Sequence, residues 1–321
     1  MQRFSENPLE RFLQHQGIVV LDGGLATALE AHGYDLDDEL WSAKVLLEEP
    51  DLIRQVHLDF LEAGADCITT SSYQATLRGF SKRGLSDVEG VELLRRSVRL
   101  AVEAREAFWS EADNRRGRLR PLVAASAGPY GAYLADGSEY TGLYTIDDDD
   151  LYAFHQSRWR VLADSEADLL ACETIPSRRE AGVLMRLLED SPGTWAWMSF
   201  SCCDATHLSD GSRLVDVARA CDSQPCVAAV GVNCTSPEFI SSLIGEIRKG
   251  TEKPIIVYPN SGERYDPVQK SWVAAPSIID WEEASAEWAR LGVSGIGGCC
   301  KVSAATIARL RRRLVPSAGA I

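Results

Sequence analysis

The sequence has no uncharged apolar run close to the ~20 residues that a membrane-spanning helix needs. Its opening stretch, Met1 to Leu13, has no apolar core and carries Glu6 and Glu10, so it does not read as a secretory signal. A cytoplasmic protein is the expectation. Positive charge is also short: 33 Lys and Arg against 47 Asp and Glu leave a net charge of −14. That balance disfavours nucleic acid or an anionic membrane as a partner and says little about small substrates. No low-complexity linker and no repeat longer than a strand–helix unit is present, so residues 1–321 are expected to form a single domain. The Gly-x-Gly-x-x-Gly of a dinucleotide fold is missing too, and the first turn reads Asp22-Gly23-Gly24-Leu25-Ala26. Cysteine is not scarce, but its count of nine is odd. Without an export signal, such cysteines are thiols or metal ligands more readily than a disulfide framework.

What is present is an alternation of short apolar runs with amphipathic segments. The runs are Ile18–Leu21, Asp66–Thr70, Leu122–Ala125, Asp168–Cys172, Trp195–Phe200, Val227–Val232, Pro254–Tyr258 and Val293–Ile296. Helical patterns cover about 48–63, 87–110, 150–165 and 303–314. The four aspartates from Asp147 to Asp150 read as the cap of the third helix, since acidic residues favour a helix N-terminus. Alternation of this kind implies a parallel sheet. Eight units imply an α/β fold, a single (β/α)8 TIM-type barrel, with chemistry at the C-terminal face of the strands.

The notable polar residues obey that rule. Asp22, Tyr73, Glu173, Cys234, Asn260, Cys299 and Cys300 all lie at or just past strand ends. Cys299 and Cys300 follow two glycines, and Cys234 sits in Gly231-Val232-Asn233-Cys234-Thr235, 65 residues (299 − 234) earlier. Only a fold brings these three together, and three protein ligands with one open position make a catalytic zinc site. Cysteine also fills space in cores, the simpler reading for Cys67, Cys172, Cys221 and Cys226. Cys202 and Cys203 follow strand five on the right face but lack adjacent glycines. Asp22 is either a turn former or, with Glu173, a clamp for a substrate ammonium. Glu173 on its own reads equally as a buried ion-pair partner. His57 and His155 sit in helical patterns and read as structural, while His207 is a candidate substrate contact on a top-face loop.

Three thiolates around zinc suit sulfur chemistry. A thiol entering the open position loses its proton, and the thiolate is the nucleophile. Attack on an activated methyl group is the natural reaction, with Tyr73 offering a ring face to a sulfonium or ammonium donor. A thiol redox or metal-binding barrel, with Cys299 and Cys300 as a reversible disulfide, is the rival.

The sequence resembles the homocysteine S-methyltransferases along nearly its whole length, from Leu21-Asp22-Gly23-Gly24 to Gly297-Gly298-Cys299-Cys300. The finer match is to the bacterial and plant branch that uses S-methylmethionine. It rests on Trp41–Lys44, Ser72–Thr76, the stretch from Gly128 to Tyr140, Ala171–Thr174, His207–Gly211 and Val257–Glu263. The resemblance implies zinc on Cys234, Cys299 and Cys300, and homocysteine bound to it through sulfur. It implies that Asp22 and Glu173 hold the amino group and that backbone near Gly23, Gly24 and Leu25 receives the carboxylate. With Tyr73 and Asn233 these residues form the expected substrate-contact set, and methionine is the expected product. The donor is S-methylmethionine, or S-adenosylmethionine. Betaine is the alternative. The Cys202-Cys203 pair departs from the family pattern. Betaine-using relatives carry a C-terminal extension that helps them oligomerise, whereas this chain ends soon after Cys300, so a monomer is expected.

Overall fold

The apolar runs become strands in the computed structural model, which describes residues 5–36, 41–262, 264–266, 271–273 and 279–315. The parallel strands are β1 (Val19–Val20), β2 (Cys67–Thr69), β3 (Leu122–Ala127), β4 (Leu169–Ile175), β5 (Ala196–Phe200), β6 (Val227–Asn233), β7 (Ile255–Tyr258) and β8 (Gly295–Ile296). Each pairs with its neighbours in sequence, and β8 returns to β1 through Val19↔Gly295 and Val20↔Ile296. A parallel bridge between Leu21 and Cys67 joins β1 to β2. The sheet therefore curls into the expected (β/α)8 barrel. After β7 a short antiparallel pair, Arg264–Asp266 with Ser271–Val273, is added. Glu263, the last residue of the Val257–Glu263 motif, and the first four residues lie outside the described residues. No helix among the described residues is long and apolar enough to cross a membrane.

Alternate side chains of each strand serve two layers. Val19, Leu21, Leu122, Leu169, Trp197 and Ile256 fill the barrel interior. Val20, Ile68, Val123, Leu170 and Met198 pack in the outer layer with the helices. Cys67 lies in the inner set, and Cys172 and Cys221 in the outer one, all buried.

The helices follow local chemistry. The helix expected from residue 48 begins at Pro50, where the missing N–H of proline costs nothing. The long helix spans Asp87–Ser110 and opens with a reciprocal capping box between Ser86 and Glu89. The aspartate run is a cap: Asp147 accepts from the Asp150 N–H at 2.7 Å, and Asp148 to Asp150 form the first turn of the helix Asp148–Ala163. Several helices fall outside the expected ranges. One is α1 (Glu10–Gln16), whose Phe12, with Leu9 before it, joins the interior set. Asn7 Nδ2 donates to the Ala228 carbonyl at 2.8 Å, so this segment closes the barrel end opposite the strand C-termini.

Candidate metal centre and substrate site

β6 and β8 run out into the three cysteines. Their Sγ atoms all lie within 4.8 Å of one another, and Cys234 to Cys300 is 3.9 Å. Tetrahedral zinc with Zn–S bonds of ~2.3 Å sets its sulfurs about 3.8 Å apart, so the trio fits such an ion. Among the described residues it is the only group of this kind. Cys202 and Cys203 stand outside it. Cys203 Sγ faces the Leu208 carbonyl at 3.1 Å, and the Cys202 N–H donates to Thr235 Oγ1 at 3.0 Å.

Two backbone devices assemble the trio. The first is close approach of the turns after β1 and β8. A Cβ on Gly297 would stand 2.6 Å from Leu21 Cβ, and one on Gly24 would stand 2.6 Å from the Cys299 carbonyl oxygen. Glycine permits the contact, and hydrogen bonds fix it: Gly298 N–H to Asp22 O and Gly24 N–H to Val302 O, both 3.0 Å. The second device is strain. Cys234, Thr174 and Lys301 have φ of 51°, 59° and 62°, a region that side chains other than glycine seldom enter and that collects at functional sites. Asn233 couples two of these residues. Its Oδ1 accepts from the Thr174 N–H at 2.8 Å and from Ser199 Oγ at 2.7 Å, and its Nδ2 donates to Thr174 Oγ1 at 2.8 Å.

Beside the thiols lie two buried carboxyl groups. Asp22 accepts from the Thr69 N–H at 2.7 Å and from Thr69 Oγ1 at 3.0 Å. Burial pushes its pKa up to about 8 against the pull of those bonds, with the Glu173 charge adding to the rise. Glu173 accepts from Ser126 Oγ and from the Tyr258 hydroxyl, yet burial raises it to about 7. Tyr258 in turn accepts from Trp197 Nε1 at 3.0 Å. Two like carboxyls, buried and both raised, are a pair whose charged forms a neighbouring cation would favour.

Aromatic hydroxyls also reach the thiols. Tyr140, from the loop after β3, sets its hydroxyl 3.8 Å from Cys234 Sγ. Tyr73 stands near Thr174, Glu139 and Cys234, and a Cβ on Gly128 would meet its ring at 2.6 Å. Burial is the first cause that lifts both phenols well above their ordinary pKa, so both remain donors.

Asp22, Tyr73, Glu173 and Asn233 thus gather around the trio. Gly23 and Leu25 are in the turn that leads into α2 (Leu25–Ala31). Gly24 donates its N–H to the Val302 carbonyl at 3.0 Å. His207 is engaged with Asp204, Nδ1 to Oδ2 at 3.0 Å. His155 is buried against Glu180 at 2.6 Å. Tyr258, Ser126 and Thr69 escaped the sequence reading. A hydroxyl at or near a strand C-terminus was the one signal they offered.

Comparison with known proteins bears on this geometry. The homocysteine S-methyltransferase family profile matches residues 19–314. The chain belongs to that family. It is 51% identical over 295 residues to homocysteine S-methyltransferase YbgG of Bacillus subtilis, covering 92% of this chain and 94% of the relative. Homocysteine S-methyltransferase 4 of Zea mays is 52% identical, with coverage of 92% and 89%. The metallated form of homocysteine methyltransferase MmuM from Escherichia coli superimposes with a TM-score of 0.86 at 45% identity, over 96% of this chain and all of that one. As a homocysteine S-methyltransferase, the protein is an enzyme, and among its described residues the thiol trio is the group that could hold a metal ion.

Proposed function

We propose that the protein moves a methyl group from S-methylmethionine to the sulfur of homocysteine, giving methionine, at a zinc ion held by Cys234, Cys299 and Cys300. The observation that carries this reading is the thiol trio beside the raised carboxyl pair of Asp22 and Glu173. In the reaction the donor's S–CH3 bond breaks and its electron pair stays on the donor sulfur. A C–S bond forms on the homocysteine sulfur, which has given up its proton. Cys234, Cys299 and Cys300 would hold the zinc, which would supply that ionisation, since a coordinated thiol is deprotonated.

The chain's own residues supply the rest. Asp22 and Glu173 hold the homocysteine ammonium, and arrival of that charge draws both groups back to the carboxylate form. The backbone of Gly23 and Leu25, at the start of α2, receives the carboxylate. Asn233 acts by fixing Thr174 and Cys234 rather than by touching substrate. The rings of Tyr73 and Tyr140 offer faces to the sulfonium. Alignment of the donor methyl with the acceptor sulfur at about 3–3.5 Å is what such clamps achieve. A redox switch between Cys299 and Cys300 is disfavoured, because it has no use for an ammonium clamp. In this reading the chain works as one cytoplasmic barrel and as a monomer, without nucleic acid or membrane.

The test is an assay of methionine formed by zinc-loaded protein from homocysteine and each donor. The expected order in kcat/KM is S-methylmethionine, then S-adenosylmethionine, with betaine undetectable. Metal analysis should find about one zinc per chain, lost in Cys299→Ser and retained in Cys202→Ser. Equal turnover with betaine would overturn the donor reading, and zinc retained in Cys299→Ser would overturn the ligand reading.

A further inference from the structure

Asp22 and Glu173 account for the acceptor side and leave a third carboxyl group without a task. Glu139 lies in the loop after β3, one residue before Tyr140. Its backbone is held tightly. Ser201 Oγ donates to the Glu139 carbonyl at 3.3 Å, and a Cβ on Gly131 would stand 2.3 Å from Glu139 N. The carboxylate Oε2 is buried and meets no hydrogen-bond donor among the described residues. A buried acceptor left without a donor is costly to keep, so a donor from outside the chain is the natural partner. Burial also pushes this group up to about 7, against the backbone N–H groups of Glu139 and Gly137.

Its surroundings differ from those of the acceptor clamp. Glu173 is governed by Ser126 and Tyr258, whereas the charge of Glu139 acts on Tyr73 and Tyr140. The Tyr140 hydroxyl is the group 3.8 Å from Cys234 Sγ. Glu139 therefore stands beside the two tyrosines that reach the thiols.

We propose that Glu139 receives the ammonium group of the methyl donor and so makes the site selective for sulfonium compounds that carry an amino acid end. The inference rests on the S-methylmethionine reading above. A sulfonium centre has no N–H and cannot satisfy a bare carboxylate oxygen, while an ammonium brings three donors and a charge. The ring faces of Tyr73 and Tyr140 suit the sulfonium instead. Betaine, a trimethylammonium, has no N–H for Glu139. The transfer step keeps its balance: the donor sulfur takes the electron pair of the broken S–CH3 bond, and the donor ammonium keeps its protons.

The experiment uses zinc-loaded full-length wild type, Glu139→Gln and Glu139→Asp. Two sulfonium compounds serve as probes: S-methylmethionine and its des-amino analogue 4-(dimethylsulfonio)butanoate. The analogue is followed by turnover or by its inhibition constant against S-methylmethionine. Glu139→Gln should raise the KM for S-methylmethionine about tenfold or more, with the homocysteine KM within about twofold of wild type. The constant for the des-amino compound should be equal in the two proteins. Glu139→Asp should fall between them and guards against a folding defect in the first variant. Losses equal for both sulfonium compounds, a homocysteine KM that rises in step, or no loss at all would overturn the assignment. Wild type inactive with S-methylmethionine would instead overturn the donor reading on which it rests.

Discussion

At the scale of single residues, the role proposed for Glu173 would trade stability for binding. Its folded pKa of about 7 lies above the ~4.3 of an unfolded glutamate. As pH rises the unfolded chain releases this proton first, so the group lowers folding stability progressively between about pH 4.3 and 7. Above pH 7 the penalty stays at its full size. Glu173→Gln removes it. Without metal or substrate, this variant should melt above wild type at pH 8, with the difference vanishing near pH 4. Homocysteine binding should meanwhile weaken by ~1.5–3 kcal/mol, the range for a hydrogen bond to a charged group, at unchanged metal content. Thermal unfolding across pH and equilibrium binding of homocysteine check the two halves. A variant that binds homocysteine as tightly as wild type would return Glu173 to a structural role. The stability gained by removing a functional group follows the usual trade-off.

At the scale of elements, the turns after β1 and β8 decide whether three cysteines become one site. The turn after β8 folds back on itself and leaves no room for a Cβ at Gly298, 2.1 Å from Val302 Cγ1. Gly298→Ala should force the β8 turn outward, costing ~1–3 kcal/mol as overpacking does and emptying much of the metal site. The denaturant midpoint and metal content measure this, and a variant with normal metal content would mean that the turn yields elsewhere. The sequence made these turns readable, because glycine pairs and cysteines at the ends of apolar runs are local patterns. The strands and the helix Asp87–Ser110 were readable for the same reason. The rest was not local. Phe12 plugs the barrel through packing that only the closed sheet creates. Asn233 reads as a strand-end polar residue, yet its bonds reach Thr174, 59 residues away. The Trp197–Tyr258–Glu173 chain joins three strands, and no spacing along the chain announces it.

At the scale of the whole molecule, the barrel is unevenly built. β1 and β8 have two residues each, while β4 and β6 have seven. β8 therefore has few ladder bonds at its seams with β7 and β1, and turns support it: Cys299 N–H to Pro259 O at 2.8 Å and Ser261 N–H to Cys300 O at 3.1 Å toward the turn after β7, and Lys301 N–H to Thr27 Oγ1 at 2.8 Å toward α2. The three cysteines proposed to hold the metal lie in this same region, with Cys234 after β6 and Cys299 and Cys300 after β8. A bound ion stabilises the native state by mass action and in this proposal would link the end of β6 to the turn after β8. Its removal should act locally before it acts globally, since proteins open in units of unequal stability. Chelation should therefore speed amide hydrogen exchange first at Gly295 to Val302 and in the turn Asp22 to Gly24. Exchange in the long strands β3 to β5 should change little until the global unfolding limit. Refilling with zinc should restore protection. Acceleration spread evenly over all eight strands would show that the metal does not brace the seam.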